Sequence, residues 1–205
     1  MMSSVLRPQE PGRTYRYWWP SGWWGDQGWT PQCVAYSWLH FVEDGPITHP
    51  QTKGISVMPP KQLYDEAQLV DQWPGENYDG TSVRAGADRL RHHGYIKSYW
   101  WAWDIDTVVE ALLSTGPIVV GTYWHNDMSY PNADGKINIG GGKSGGHAYL
   151  LNGVNVERGI LRIKNSWGRY WGKNGYAYIS IEDMGQLIAD YGEACIATEL
   201  APEEV

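Results

Sequence analysis

A chain of 205 residues is long enough for one substantial hydrophobic core or for two small lobes that share an interface, and we treat it as one unit. Its 42% apolar and 19% charged residues, with 13 Trp and 14 Tyr, exclude a disordered chain. The formal charge of -7, without a run of Lys and Arg, disfavours nucleic acid as a partner, and no apolar stretch approaches the roughly 20 residues needed to cross a membrane.

The first elements predicted along the chain are helices. The opening stretch to Trp29 is rich in Trp, Gly and Pro and shows no periodicity, which predicts irregular structure laid over a core. Thr30 as a cap and Pro31 at the first helical position predict a helix that continues through residues 34–42, with Cys33 in its first turn. Further helices are predicted over residues 61–70, from about 82 to 93, and from 105 to the Gly116-Pro117 stop.

Short β-prone runs follow in the second half of the chain. They cover residues 118–120, 148–156, 160–164 and 176–181, with turns at Arg158-Gly159 and around Gly172 and Gly175. Helices first and strands later, without strict alternation, predict an α+β protein with a helical lobe and a sheet lobe. The segment DGKINIGGGKSGG before His147 has the Gly-rich composition of a mobile linker, although it lies inside a lobe.

The sequence contains two cysteines with different surroundings. A thiol in the first turn of a helix lies at the positive end of the macrodipole, which predicts a lowered pKa and a nucleophilic Cys33. Cys195 lies in the apolar run EACIATEL and is predicted to be a buried structural thiol. Two cysteines form at most one disulfide, and the N-terminus lacks a basic segment followed by an apolar one, so we expect a reducing, cytoplasmic location.

A thiolate nucleophile needs a basic partner, and the sequence offers six histidines. His147 follows Gly145-Gly146 and begins the apolar strand AYLLNGV, which predicts a rigidly held base. His40 lies about 10 Å along the Cys33 helix, out of hydrogen-bond reach. Solvated side chains are expected for the remaining four, His49, His92, His93 and His125.

An amide can fix the tautomer of such a base by accepting from its second ring nitrogen. Asn165 ends the strand ILRIKN, one hairpin after the strand that begins at His147, so antiparallel pairing can bring the two side chains together. Taken alone, an Asn at this position is more often a turn residue.

Two other patterns carry little weight. Gly142-Lys143-Ser144 is similar to the end of a phosphate-binding loop, but Ile137 occupies the position that requires the first glycine. Two distant cysteines and the lack of an HExxH motif leave no zinc-type ligand spacing. We predict neither a metal nor another cofactor.

Three segments in chain order resemble the active-site segments of the papain and cathepsin family of cysteine peptidases. QGWTPQCVAYS, residues 27–37, resembles the nucleophile segment, and Gly146-His147-Ala148 resembles the histidine segment. IKNSWG, residues 163–168, is nearly identical to the asparagine segment. The resemblance implies a papain-like two-lobed α+β fold over residues 1–205, with a helical lobe at about 17–97, an antiparallel β-barrel-like lobe at about 98–205, and an active-site cleft between them.

The resemblance also implies a role for each matching residue. Cys33 is implied as nucleophile, His147 as base and Asn165 as the residue that orients the base, while Gln27 and the Cys33 N–H form the oxyanion hole. The residues implied to bind substrate are Gly80, Thr81, Ser82, Val83, Gly121, Gly146, Ala148, Trp167 and Glu199. Glu199 is expected at the floor of the pocket for the residue before the cleaved one, where it would accept Arg; the alternative is a solvated residue of an acidic tail.

The chain departs from the family pattern where disulfides are concerned. Thr30 stands where the family usually has a half-cystine, Val34 where it usually has Trp, and Cys195 has no matching partner. We therefore expect no disulfides, which favours a cytoplasmic protein of a prokaryote, archaeon or virus. No inhibitory pro-segment is apparent before the nucleophile, so a separate proteinaceous inhibitor or earlier processing is expected to restrain the activity.

The expected function is a thiol endopeptidase that acts on a peptide or protein substrate through an acyl-enzyme. Two alternatives remain open from the sequence. A cysteine transpeptidase or a cell-wall peptide hydrolase would use the same triad, and a catalytically silent binding protein would keep only the fold.

Overall fold

Most of the helices precede most of the strands along the chain, as predicted for the α+β class. The computed structural model describes residues 12–18, 23–47, 55–73 and 78–200. Its elements in chain order are β1 (Tyr15–Tyr17), α1 (Cys33–Asp44), α2 (Pro60–Gln68), α3 (Val83–His92), β2 (Ile96–Ala102), α4 (Ile105–Ser114), β3 (Ile118–His125), β4 (Lys143–Asn155), β5 (Ile160–Lys164), β6 (Tyr176–Ser180), α5 (Ile181–Ala189) and β7 (Glu193–Glu199).

Side-chain caps fix the beginnings of α3 and α4. The Ser82 hydroxyl accepts from the Ala85 N–H, and the Asp104 carboxylate accepts from the Thr107 N–H. Each bond satisfies an N–H that has no partner inside the helix, and both helices begin at or next to the predicted starts. Within the described ranges, no helix is both long and apolar enough to span a membrane.

The start of α1 differs from the prediction. Thr30 does not cap the helix, because its hydroxyl donates 2.6 Å to the Gln27 carbonyl in a tight turn. The helix begins at Cys33, after Gln32, and no side chain caps it. Its first N–H groups are therefore left for another acceptor beside the Cys33 side chain.

The strands form one antiparallel sheet in the order β2-β7-β3-β4-β5-β6, and β1 pairs with the outer half of β4. In the β3 and β4 pair, Gly121 lies opposite Ala148 and Thr122 lies opposite His147. The Gly-rich segment before His147 was expected to be a mobile linker, but its last four residues belong to β4, which begins at Lys143. His147 thus lies inside a strand and not at its beginning.

Alternation along the central strands gives the sheet two buried faces. Tyr149 and Leu151 of β4 face a core closed by α4 and α5, whereas Ala148 and Leu150 face a core closed by α1, α2 and α3. Successive side chains of a strand point to opposite faces, so a strand covered on both sides is apolar throughout.

Several elements were not predicted from the sequence. Strand β1 lies in the stretch expected to be irregular, and β2, α5 and β7 were not assigned. His49 and the acidic tail at 201–205 lie outside the described residues.

Candidate active site

A cavity of about 390 Å³ lies where the beginning of α1 meets β3 and β4. Cys33 and His147 both line it. Seven of the predicted substrate-binding residues also line it, namely Gly80, Thr81, Ser82, Val83, Gly121, Gly146 and Ala148. Further lining residues that the sequence did not point to include Gln72, Trp73, Asp79, Tyr123, Tyr191 and Glu193.

Cys33 is the first residue of α1 and is half-buried. The backbone N–H groups of Ala148, Val34 and Cys33 itself are directed at its sulfur and favour the thiolate. Burial is the larger effect, and it raises the pKa of the Cys33 thiol above the ordinary value, contrary to the predicted lowering. The uncapped helix start therefore supplies donors for an anion at this position, whereas burial favours the protonated thiol.

His147 and Asn165 are joined by a hydrogen bond of 2.8 Å between Nε2 and Oδ1. The Ser166 N–H donates to the same Oδ1 at 2.8 Å, which fixes this amide atom as the oxygen and therefore as the acceptor. Nε2 accordingly carries the proton, and Nδ1 is left with a free lone pair. The side-chain nitrogen of Asn165 is buried without a hydrogen-bond partner in the described part of the chain.

The imidazole of His147 is enclosed by aromatic rings. Trp167 packs on it with 5.1 Å between ring centroids, and Trp124 meets it edge-on at 4.9 Å. Burial lowers the pKa of His147 to about 4, and the hydrogen bond to Asn165 opposes this shift. The ring is therefore neutral at physiological pH and can accept a proton.

Gln27 lies in the loop before α1 and is held at both ends of its amide. Its Oε1 accepts from the Ser166 hydroxyl at 2.5 Å, and its Nε2 donates to the Thr30 carbonyl at 2.7 Å. A primary amide has two N–H donors, so one remains for a ligand. The backbone N–H of Gln27 donates to the Ser166 carbonyl at 2.8 Å, which ties this loop to the residue after Asn165.

The second cysteine and two of the other histidines lie outside the cavity and are held by structural contacts. Cys195 is fully buried, its thiol is free, and burial raises its pKa. His40 is also fully buried, and its Nε2 accepts from the Gly25 N–H at 3.3 Å. His93 pairs with Glu66 at 2.6 Å on the surface.

The structure contradicts the predicted position of Glu199. This residue is buried at the end of β7 that is remote from the cavity, and its Oε2 accepts from the Ile47 N–H at 2.9 Å. Glu193, at the other end of the same strand, pairs with Gly121 and lines the cavity instead. The predicted carboxylate is therefore present beside the cavity, but six residues earlier in the sequence.

Two functional candidates were missed for different reasons. Glu193 could have been found only from the register of β7 on β3, which no sequence pattern fixes. Trp124 lies two residues beyond Thr122 on the same face of β3, and the prediction ended that strand at residue 120.

Comparison with known proteins gave a family match and relatives. A model described as papain family cysteine protease matches residues 74–195. A cathepsin B-like cysteine proteinase 6 of Caenorhabditis elegans is 31% identical over 160 residues, 68% of this chain and 41% of the relative. An uncharacterized peptidase C1-like protein of Acanthamoeba polyphaga mimivirus is 31% identical over 125 residues, 58% of this chain and 35% of the relative. The chain thus spans well under two thirds of these curated relatives.

Solved structures share the two-lobed α+β fold. Xylellain, a cysteine protease from Xylella fastidiosa, superposes with a TM-score of 0.75 at 20% identity, over 93% of this chain and 90% of that one. The bromelain protease from Ananas comosus, solved in complex with the E64 inhibitor, superposes with a TM-score of 0.65 at 15% identity, over 91% of this chain and 99% of that one. The predicted fold class is confirmed.

Proposed function

Because the chain belongs to the papain family of cysteine proteases, we propose that it is a thiol endopeptidase that hydrolyses peptide bonds through an acyl-enzyme on Cys33. His147 is the base, Asn165 orients it, and Gln27 is a donor of the oxyanion hole. The observation that carries the proposal is that Cys33 and His147 line one cavity, with the second ring nitrogen of His147 bonded to Asn165.

The first step transfers the thiol proton of Cys33 to the Nδ1 of His147 as the sulfur attacks the substrate carbonyl. Both groups are uncharged in the unliganded site, since burial raises the pKa of the Cys33 thiol and lowers that of the imidazole to about 4. The proton transfer creates a thiolate and an imidazolium together, so each charge stabilises the other. The N–H groups directed at the sulfur favour the thiolate further.

The tetrahedral intermediate then places a negative charge on the former carbonyl oxygen. The Cys33 backbone N–H and the remaining N–H of Gln27 would stabilise this charge. His147 returns its proton to the leaving amine, and the peptide C–N bond breaks. Water, deprotonated by the same imidazole, attacks the thioester, releases the acid and restores the thiol.

A labelling experiment tests the nucleophile. The chain is treated with a thiol-directed epoxide or with iodoacetamide at about pH 6, and modified peptides are identified by mass spectrometry. We expect selective modification of Cys33, because Cys195 is fully buried and serves as an internal control. Equal modification of both thiols, or modification of Cys195 in preference to Cys33, would contradict Cys33 as the nucleophile.

A second measurement separates hydrolysis from the two alternatives. Peptide cleavage is followed with and without an added amine nucleophile. Hydrolysis that is unaffected by the amine is the expected result. Transfer of the acyl group to the amine as the main product would identify a transpeptidase, and labelling without any turnover of peptides would contradict the proposed endopeptidase.

A further inference from the structure

Trp124 packs against His147 and against three other aromatic residues around it. Its side chain is 4% exposed, and its ring centroid lies 4.9 Å from His147, 5.2 Å from Trp167, 5.5 Å from Tyr149 and 6.3 Å from Trp171. The interplanar angle with His147 is 75°, so one ring presents its edge to the face of the other.

The indole of Trp124 is fixed in place by hydrogen bonds around it. Its Nε1 donates 3.0 Å to the Ser129 hydroxyl, in the short 3₁₀ turn Asn126–Ser129 that follows β3. The backbone carbonyl of Trp124 accepts from the Ser144 hydroxyl at 2.9 Å, across the strand pair. The indole cannot rotate without leaving a buried N–H without its partner, which is unfavourable.

The hydrogen bond to Asn165 does not by itself fix the rotation of the His147 imidazole. The imidazole can still rotate about its Cβ–Cγ bond, and this rotation changes the direction of Nδ1 within the cavity that Cys33 and His147 both line. The ring of Trp167 is tilted by 33° to the imidazole and that of Trp124 is inclined by 75°, so rings from two different segments of the chain restrict this rotation. His147 is 9% exposed, and the two rings cover part of its imidazole.

We propose that Trp124 is a positioning residue that holds the imidazole plane of His147 and excludes water from it. The inference rests on the proposed function, in which His147 is the base. It adds a residue on β3 to the groups that govern the reaction, although Trp124 does not touch the reacting atoms.

Trp124 carries no charge, so its effect on His147 acts through burial and orientation. The titratable groups that face His147 are the Cys33 thiol from α1 and the Tyr149 phenol from its own strand. The cavity that His147 lines is also lined by four further titratable residues, Asp79, Tyr123, Tyr191 and Glu193. Substitution of Trp124 leaves all of these in place, which makes a change in the titration of His147 attributable to the lost ring.

The test compares Trp124→Leu and Trp124→Phe with Trp171→Phe. Trp171 is a matched control because it belongs to the same cluster and also donates to Ser129, at 3.1 Å, but its ring packs on Trp124 and Trp167. The titration of the His147 ring is followed by NMR, with the signal assigned by His147→Gln. The same variants are assayed for kcat and KM across pH.

We expect Trp124→Leu to raise the titration midpoint of His147 by about one pH unit or more, because water reaches the ring. The acid limb of kcat/KM should move by the same amount, and kcat should fall about tenfold or more with KM nearly unchanged. Trp124→Phe should show a smaller shift in the same direction, and Trp171→Phe none, even where its melting temperature falls.

Unchanged titration in both Trp124 variants, or an equal shift in Trp171→Phe, would overturn the inference. If Trp124→Leu does not fold, the Phe variant decides alone between a shift and none. The NMR titration needs no turnover, so it reports on Trp124 even in a chain that fails to cleave peptides. Failure of the proposed function would appear separately, as a parent protein without activity.

Discussion

The ammonium of Lys164 and the carboxylate of Asp44 lie 2.7 Å apart, with neither side chain exposed to solvent. Asp44 ends α1, the helix that begins at Cys33, and Lys164 ends β5, directly before Asn165. Asn152 donates to the other oxygen of Asp44 at 2.6 Å. One buried ion pair thus joins the element that carries the nucleophile to the one that carries the orienting amide.

Removal of one partner of this pair is expected to be costly. Burial raises the pKa of Asp44 and lowers that of Lys164, and the partner's charge is the largest effect that opposes each shift. We expect Lys164→Met to lower the free energy of unfolding by about 3–5 kcal/mol, measured by urea denaturation. The double variant Lys164→Met with Asp44→Asn should recover part of this loss.

The exposed pair between Lys61 and Asp65 is the matched control. Its Nζ to Oδ2 distance is 2.6 Å, but its side chains are 73% and 51% exposed. Lys61→Met should therefore change the free energy of unfolding by less than about 1 kcal/mol. Similar losses in both Lys variants would mean that burial of the Lys164 pair contributes little.

Acid should destabilise the fold through two buried histidines. Burial lowers the pKa of His147 to about 4 and that of His40 well below its usual range, so both are neutral in the folded protein. Below pH 6.5 the unfolded chain binds protons that the folded chain excludes. Their contribution is therefore complete above pH 6.5 and is lost as the pH falls towards about 4.

This pH dependence is measured by urea unfolding between about pH 7 and pH 4.5. The His40→Gln variant can still accept from the Gly25 N–H but cannot bind a proton, so its stability should fall less steeply with pH than that of the parent. Parallel curves for the two proteins would show that His40 does not contribute to the acid sensitivity.

Substitutions in the triad should affect activity far more than folding. Cys33→Ala and His147→Ala should each abolish hydrolysis, since both side chains line the cavity. Asn165→Ala should be milder, because the imidazole keeps its aromatic packing. Turnover of a peptide substrate and the melting temperature are measured together, with His125→Ala as a control; retained turnover in Cys33→Ala would exclude the mechanism.

Gln27→Ala should lower kcat by roughly 10 to 1,000 fold, the range for loss of one oxyanion-hole donor. Ser166→Ala removes the hydroxyl that holds the Gln27 Oε1 and should cause a smaller loss of the same kind. Gln72→Ala is the control, since Gln72 lines the cavity on its helical side. An unchanged kcat in Gln27→Ala would remove this residue from the oxyanion hole.

Local signals predicted the elements that local interactions fix. The helices predicted from about 82 and from 105 begin where expected, because the side chains of Ser82 and Asp104 cap them locally. The three residues of the proposed triad were likewise found as candidates from the sequence, because each lies in a short segment with its own signature. Their convergence needs only the α+β topology and the pairing of β4 with β5.

Features that depend on distant pairing could not be predicted. Strand β2 (IKSYWWA) lies at the edge of the sheet. Its sequence does not alternate between apolar and polar residues, so it gave no periodic signal for a strand. The hydroxyl of Thr30 was expected to cap α1, but the turn with Gln27 competes for it. The choice between Glu193 and Glu199 depends on the register of β7 on β3.

Two carboxylates of β7 are candidates for the residue that sets substrate specificity. Glu193 and Glu199 stand at opposite ends of β7, about 20 Å apart along an extended strand. A Cβ added to Gly121 would lie 4.0 Å from the Glu193 Oε2 and 3.0 Å from Val83, so the glycine keeps this part of the cavity open. Burial raises the pKa of Glu193, and the nearby Arg84 guanidinium opposes the shift. An arginine side chain of the substrate can reach this carboxylate from the cavity.

We therefore expect peptides with Arg before the cleaved residue to be accepted as well as those with Leu or Phe. Glu193→Gln should lower kcat/KM for the Arg peptide by about tenfold or more, because a charge-assisted hydrogen bond is lost, and should leave the Leu and Phe peptides nearly unchanged. Glu199→Gln is the matched control: it removes the same charge from the same strand, and because its carboxylate holds the Ile47 N–H it should alter stability but not the Arg-to-Leu ratio. A substrate panel that varies only this position measures the ratio for each variant. An equal loss for all three peptides in Glu193→Gln, or a changed ratio in Glu199→Gln, would show that Glu193 does not determine the preference.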